Sequence, residues 1–416
     1  MRDGYLQTGE LLLPADKLDP SAWACVACDQ YTSQPEYWRQ ANTLVGDAPS
    51  ALRLILPEAD LGQAAARVPE IHSAMLDYLE SGELQVGVAD GLILTERTTE
   101  SGARTGLVML LDLEGYDYQA GSVSAARATE GTIMDRIPPR LAIRRGAALE
   151  LSHVMMLIDD PAHTVMEPLA ARRDTLELLY DFPLMMGGGH LRGYAITAPE
   201  DLAGVFSALK ALREKAEGTL LYAVGDGNHS LAAAKAYWEE VKPTLTASEQ
   251  ANHPARFAMV ELVNIHDEAL VFGPIHRVLY GFDGDTLLPE LGAFAQANGW
   301  ELAANEEGQR IVIVYEGKEV AVSVTGSGHP LAVGTLQAFL DAWIPAHPGT
   351  RLDYVHGESA ARELSQQPNT IAFLLPALHK AELFPAVEKL GALPRKTFSM
   401  GHANEKRFYM EARKLR

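Results

Sequence analysis

The segment 220–235, Leu-Leu-Tyr-Ala-Val-Gly-Asp-Gly-Asn-His-Ser-Leu-Ala-Ala-Ala-Lys, constrains the fold of this chain more than any other stretch. An apolar run from Leu220 to Val224 reads as a strand. It delivers the backbone to a small polar turn, and an Ala-rich helix is expected at once over 230–241. A strand that passes into a helix without a linker leaves the first helical N–H groups unpartnered and aimed at the turn. The aligned peptide dipoles favour an anion at that place. Gly225 and Gly227 allow close approach and unusual backbone angles. Ser230 or Asn228 is a candidate helix cap. Asp226 and His229, three residues apart, are placed to face one ligand. The competing reading is a structural turn in which Asp226 and Ser230 only satisfy backbone donors.

The rest of the chain alternates between strand and helix signals. Strands are expected at 52–56, 154–158, 259–265 and 371–375, and hairpins around Ser101-Gly102 and Glu316-Gly317-Lys318. Helices are expected where Val68, Ile71, Met75 and Leu79 recur, through Leu169, Leu176 and Leu179, through Leu202, Val205, Leu209 and Leu212, and over 287–297, 336–344 and 381–390. Hairpins mixed with strand–helix steps predict an α/β (α+β) chain with mixed sheets. The polar, proline-bounded stretch 243–254 is the best linker, which divides the chain into an N-terminal region, 1–245, and a C-terminal α/β region, 250–416.

Thirty-five Lys and Arg against 55 Asp and Glu give a net charge of −20, which disfavours nucleic acid and anionic membrane as partners. Apolar runs fall far short of a membrane helix and no secretory signal is visible, so a cytoplasmic protein is expected. Two islands oppose the overall sign. Residues 127–145 hold five Arg and two acids, and 395–416 hold seven Lys or Arg and two Glu. The first contains Arg127-Ala128-Thr129-Glu130-Gly131-Thr132 and, beyond it, Arg136 and Arg140 near two prolines. Arginine supplies a rigid fork for phosphate or carboxylate, and Glu130 is a candidate base or metal ligand. The second island is the reserve source of positive charge. The three glycines after Met186 are a weaker candidate for backbone approach to a ligand. His276 and His402 read more readily as structural than catalytic. Cys25 and Cys28 are the only cysteines; their setting, a loop leading to a helix near Pro35, predicts two ordinary thiols and no redox pair. No Walker A loop, H-E-x-x-H, G-x-S-x-G or complete G-x-G-x-x-G is present.

Five segments carry a resemblance: 26–33, 52–57, 127–132, 225–230 and 274–277, with 393–398 fitting as well. On these the chain resembles the bacterial and archaeal domain-of-unknown-function family 1015. More distantly, Asp-Gly-x-His between strand and helix is similar to the phosphate loop of the ParB and sulfiredoxin superfamily, some members of which are free-serine kinases carrying Asp-Gly-His-His-Arg. Asp226, Gly227 and His229 match that motif; Asn228 stands for a His and Ser230 for the Arg. The resemblance implies a ParB/sulfiredoxin-like N-terminal part that binds ATP or ADP, with Mg, and transfers phosphate to a small serine-like hydroxyl metabolite. It implies Asp226, His229 and Glu130 as the catalytic group, and Gly225, Gly227, Asn228, Ser230, Thr129 and one or more of Arg127, Arg136 and Arg140 as the nucleotide-binding set. The alternative is a nucleotide- or phosphate-binding regulatory protein without turnover.

Overall fold

The computed structural model describes every residue of the chain except 33, 120, 152–153 and 305–306; Ser33, which closes the 26–33 motif, is therefore outside the described residues. The chain forms two compact units. The first comprises Met1–Val271 and Gly401–Arg416, the second Phe272–Met400. Gly401 N donates to Val271 O at 3.1 Å, so the first unit resumes beside the residue where it broke off.

Both units are mixed α/β, as the alternating signals predict. The main path of the first sheet runs Tyr116–Asp117, Ala126–Ala128, Tyr222–Asp226, Met155–Ile158, Phe257–Asn264, Gly102–Asp112, Leu84–Thr99, Gly9–Pro14, Ala412–Lys414 and Leu149–Leu151. Ala126–Ala128 is parallel to Tyr222–Asp226, and Met155–Ile158 is parallel to Phe257–Asn264. Tyr116–Asp117 is also parallel to Ala126–Ala128, whereas the pair joining the two parallel groups and the pairs beyond Phe257–Asn264 toward Leu84–Thr99 are antiparallel. All eight residues of Phe257–Asn264 are buried, which explains its nearly unbroken apolar run, since both faces are covered. The Gly102–Asp112 strand shows the period of two. Leu107, Met109 and Leu111 join one core, with Leu202, Val205, Phe206 and Leu209 of helix Pro199–Lys215 and Leu231, Ala234 and Trp238 of helix Asn228–Val241. Val108 and Leu110 face another, with Ile71 and Met75 of helix Ala64–Glu80 and Tyr37, Trp38 and Ala41 of helix Pro35–Val45.

Two expectations fail locally. Residues 52–56 form no strand. The Ser50 hydroxyl accepts from Leu52 N and starts a short 3-10 turn, Ala51–Arg53, before Pro57. The helix expected through Leu169, Leu176 and Leu179 stops at Ala170; Glu177–Pro183 is a strand paired antiparallel with His190–Ile196. Leucine spacing there is compatible with a helix, and pairing with the next strand, itself laid on Leu84–Thr99, overrides it. Residues 242–254 lie in the first unit, largely as a 3-10 turn, Lys242–Thr244, and a helix, Ala247–Asn252, held by a Thr246/Glu249 capping box.

The second unit is built on an antiparallel sheet in the order Glu301–Ala303, Lys318–Thr325, Gln309–Tyr315, Thr370–Leu374, Phe272–Tyr280, Arg351–His356, with Phe398–Met400 also on Phe272–Tyr280. The expected hairpin is present, with Glu316 and Gly317 both at positive φ, as a tight two-residue turn needs. Among the described residues no helix is long and apolar enough to cross a membrane.

Candidate functional site

Strand Tyr222–Asp226 ends one residue before the helix cap. Gly227 takes that position at φ +88°, a left-handed conformation that costs a residue with a side chain about 1–2 kcal/mol. Its N–H donates to Asp226 Oδ1 at 2.9 Å, and its carbonyl accepts from Ser230 N and Leu231 N at 3.0 Å each. The helix therefore begins at Asn228, two residues earlier than its apolar pattern suggests. Neither Ser230 nor Asn228 caps it, because the cap is a glycine and no side-chain cap bond forms. Packing fixes the helix: Leu231 and Trp238 are fully buried, and Ala232 and Ala233 pack against Ile137 and Leu141 of helix Ile137–Arg144.

A second segment runs alongside. Ala126–Ala128 pairs in parallel with the strand that feeds the turn, Val224 opposite Ala128. Thr129 Oγ1, buried, donates to Val224 O at 2.7 Å and fastens the following loop to the strand end. That loop crosses the start of the helix, where Ile133 N donates to His229 Nε2 at 3.2 Å. With Nε2 accepting, the imidazole carries its proton on Nδ1. Glu130 is half-buried in the same loop. Thr132 Oγ1 and Asn228 Oδ1 are buried atoms without a hydrogen-bond partner, one on each side of the crossing. The structure thus brings together Gly225, Asp226, Gly227, Asn228, His229 and Ser230 with the 129–133 loop.

The three arginines separate. The Arg127 guanidinium is buried and turned back toward the beginnings of the two strands, donating to Ser124 O at 2.7 Å and to the Thr219 hydroxyl. It does not point to the turn, which lies at the other strand end. Arg136 and Arg140 stand at the helix packed against Asn228–Val241. Arg140 donates to Arg136 O at 2.8 Å and pairs with Glu58.

Sequence reading missed Glu58, the partner of Arg140. Glu58 comes from a 3-10 turn, Glu58–Gln63, and no spacing links it to Arg140. Tyr409 lies in the two-residue strand Phe408–Tyr409, opposite Cys25 of Cys25–Val26. Burial raises the Tyr409 pKa, and its electrostatic neighbours are Cys25, Arg140, Asp226 and Cys28. The Cys25 thiol is pushed up to about 12 by burial, so it stays protonated; neither cysteine is in a disulfide, and Cys28 Sγ lies 3.8 Å from Ala403 O as donor.

The remaining candidates sit elsewhere. Gly188 O accepts from Arg97 at 2.8 Å, which gives the glycine-rich loop a structural partner. His276 Nδ1 accepts from Leu375 N at 3.1 Å in the second unit. His402 opens a 3-10 turn whose Glu405 accepts from His402 N. In the second basic island Arg407 and Arg413 are buried in ion pairs with Glu261, Glu411 and Glu150. Among the described residues no three His, Cys, Asp or Glu side chains are grouped to hold a metal ion.

No curated protein matches the chain. Solved structures with similarity include a conserved hypothetical protein from Pyrococcus furiosus (12% identity, 74% of this chain and 95% of that one, TM-score 0.37). A free serine kinase in complex with AMP is similar over 74% of this chain and 92% of that one (13% identity, TM-score 0.39). SbnI with a C-terminal truncation, from Staphylococcus aureus, is similar over 71% and 82% (11% identity, TM-score 0.36). Residues 12–343, most of the chain, match a family described as a protein of unknown function, and with the 225–230 and 127–132 segments now placed side by side the chain belongs to that family, DUF1015.

Proposed function

We propose that the Gly225–Ser230 turn binds the phosphate of ATP or ADP and that the first unit is a phosphotransferase acting on a small, hydroxyl-bearing, serine-like metabolite. One observation carries the reading. A helix start without a side-chain cap is crossed by a loop, and each carries a buried polar atom without a partner, Asn228 Oδ1 on the helix and Thr132 Oγ1 on the loop. Buried polar groups are normally satisfied, so the unfilled pair fits a site that expects a ligand, and a helix start favours an anionic one. Gly225 and Gly227 let the backbone approach; His229 Nδ1–H and the Thr132 hydroxyl are donors for phosphate oxygens. Arg140, with Arg136, is the nearby positive charge. Asp226 or Glu130 is the carboxylate available to take a hydroxyl proton from the acceptor. Mg²⁺ is commonly held through one or two carboxylates and the phosphates themselves. Asp226 fits that role without a three-residue protein cage, and the ion would offset phosphate charge.

The test has two steps. Purified protein is screened for thermal stabilisation by ATP, ADP and AMP with and without Mg²⁺. Phosphorylation of serine and related hydroxyl metabolites is then assayed. Stabilisation with turnover supports the kinase. Stabilisation without turnover on any acceptor supports the regulatory reading, which the Ser at 230 favours because the free-serine kinase motif has an Arg there. No stabilisation by any nucleotide overturns both.

A further inference from the structure

Building on the phosphotransferase reading above, we infer that Arg104 and Glu261, on the same face of the sheet as Asp226, hold the head group of the acceptor. The serine-like metabolite is then an α-amino acid, bound through its carboxylate and its ammonium.

The register of the sheet leads from the turn to these residues. A shift between Met155 and Met156 sets Asp226 opposite Met155, and Met155 is opposite Glu261 in the parallel ladder with Phe257–Asn264. Opposed residues share a face. Neighbouring strands are about 4.7–4.9 Å apart, so about 10 Å separates the backbones of Asp226 and Glu261. Phe257 and Met259 turn to this face at the period of two from Glu261. On the next strand Val108 is opposite Glu261, and Arg104 reaches back toward it, with Nη2 at 3.6 Å from Glu261 Oε2.

The pair is buried and incompletely bonded. Arg104 is 7% exposed and Glu261 1%. The Arg104 guanidinium makes one long hydrogen bond, from Nη1 to Glu405 O at 3.4 Å, and its Nε and Nη2 have no hydrogen-bond partner. Thr95 Oγ1 donates to Glu261 Oε1 at 2.8 Å, whereas Oε2 accepts no hydrogen bond; Arg407 Nε lies 3.0 Å from it but out of line. The other two arginines are committed. Arg97 donates to the carbonyls of Gly188, Asn404, Glu405 and Lys406, and Arg407 donates to Phe408 O at 2.6 Å and to Glu411 at 3.1 Å. Buried polar groups are normally satisfied. Nε and one Nη of an arginine form the planar edge that takes a carboxylate through two parallel bonds. Glu261 Oε2 lies beside that edge, where the ammonium of the same amino acid would reach it. Burial alone would raise the Glu261 pKa, but Arg407 and Arg104 outweigh it and keep the carboxylate charged. The hydroxyl-bearing side chain then extends along the row toward Asp226.

L-Serine, L-threonine and L-homoserine, each beside its amide, are titrated calorimetrically into full-length wild type and Arg104→Lys, with and without ADP and Mg²⁺, and ADP with Mg²⁺ is titrated into both proteins. Wild type should bind at least one of the acids, and the matching amide about tenfold more weakly. Arg104→Lys keeps the charge and loses the planar edge. It should weaken the same acid about tenfold and ADP by less than about twofold. When wild type binds ADP, the inference is overturned and the nucleotide reading stands if no acid binds, if acid and amide bind alike, or if the acid binds both proteins equally. Equal losses of acid and ADP in Arg104→Lys also overturn it, because the change is then structural. A wild type that binds an acid but no ADP ends the nucleotide reading and keeps the amino-acid site; one that binds neither ends both. Should Arg104→Lys not fold, wild type labelled with ¹⁵N-arginine is used. The Arg104 Nε–H resonance must move on adding the acid, and one that stays in place overturns the inference.

Discussion

The two basic islands look alike in composition, yet their arginines meet different fates. In the second, Arg407 and Arg413 are in the interior. Arg407 lies 3.0 Å from Glu261 and 3.1 Å from Glu411, all three nearly inaccessible, and Arg413 pairs with Glu150. The tail also answers a conflict in the sheet. Arg97 and Arg104 are directly opposite on adjacent strands, a like-charge arrangement that destabilises a sheet unless compensated. Arg97 donates to the carbonyls of Asn404, Glu405 and Lys406, and Glu261 lies 3.6 Å from Arg104. Burial, with Arg104 beside it, lowers the Arg97 pKa to about 9, so it is charged at neutral pH. In the first island Arg136 and Arg140 stay half-buried beside the helix start. A local excess of charge therefore says nothing about function until the counter-ions are located: Arg407 and Arg413 form a structural clasp, which Arg144 of the first island joins through Glu150, whereas Arg136 and Arg140 border the candidate site.

The largest effect should come from the clasp. Arg407→Ala leaves Glu261 and Glu411 without a shared buried partner and is expected to cost about 3–5 kcal/mol of stability, read by urea denaturation. A near-neutral result would break the comparison, because the second island would then not be structural. Arg140→Ala should do the reverse. A lost charged contact costs about 1.5–3 kcal/mol, roughly ten- to a hundredfold in ADP affinity, with a small change in the denaturation midpoint. A large stability loss with unchanged affinity would place Arg140 with the clasp.

Much of this was legible in the residues and some was not. Strand, turn and helix at 220–241 follow from local rules, since the apolar run, the glycines and the alanines all act within a few residues. The placement of 129–133 against His229 was not legible, since it depends on a parallel pairing between strands about a hundred residues apart. Arg127 shows the limit well. Its type fits phosphate, yet its direction is decided by Ser124 and Thr219, which no pattern singles out. Glu58 carries no local signal at all, because it acts through a tertiary neighbour, Arg140.

Acid should weaken the clasp in a defined window. Burial alone would raise the Glu405 pKa, but donors from His402, Ser101 and Thr99 outweigh it and hold the carboxyl at about 2, below its ordinary 4.5. That contribution is complete above about pH 4.5 and is lost as pH falls toward 2. Thermal midpoints measured across this range should fall in wild type and fall less steeply in Glu405→Gln. Parallel slopes would remove Glu405 from the account. The smallest effect is expected at the cysteines. Cys25→Ser with Cys28→Ser should leave ADP binding within about twofold, less than the roughly 1.4 kcal/mol of a tenfold change, and binding should not depend on oxidant. Oxidation-dependent binding in wild type would instead make the pair part of the site.

The central claim is that phosphate binds where the 129–133 loop crosses the start of the Asn228–Val241 helix. Calorimetric titration of ADP and Mg²⁺ into wild type and His229→Ala tests it most directly, since His229 is the residue that both segments share. Saturable binding by wild type is expected, with a loss of tenfold or more in His229→Ala while its circular dichroism is retained. Equal affinity in the two proteins, or no binding by wild type, would contradict it.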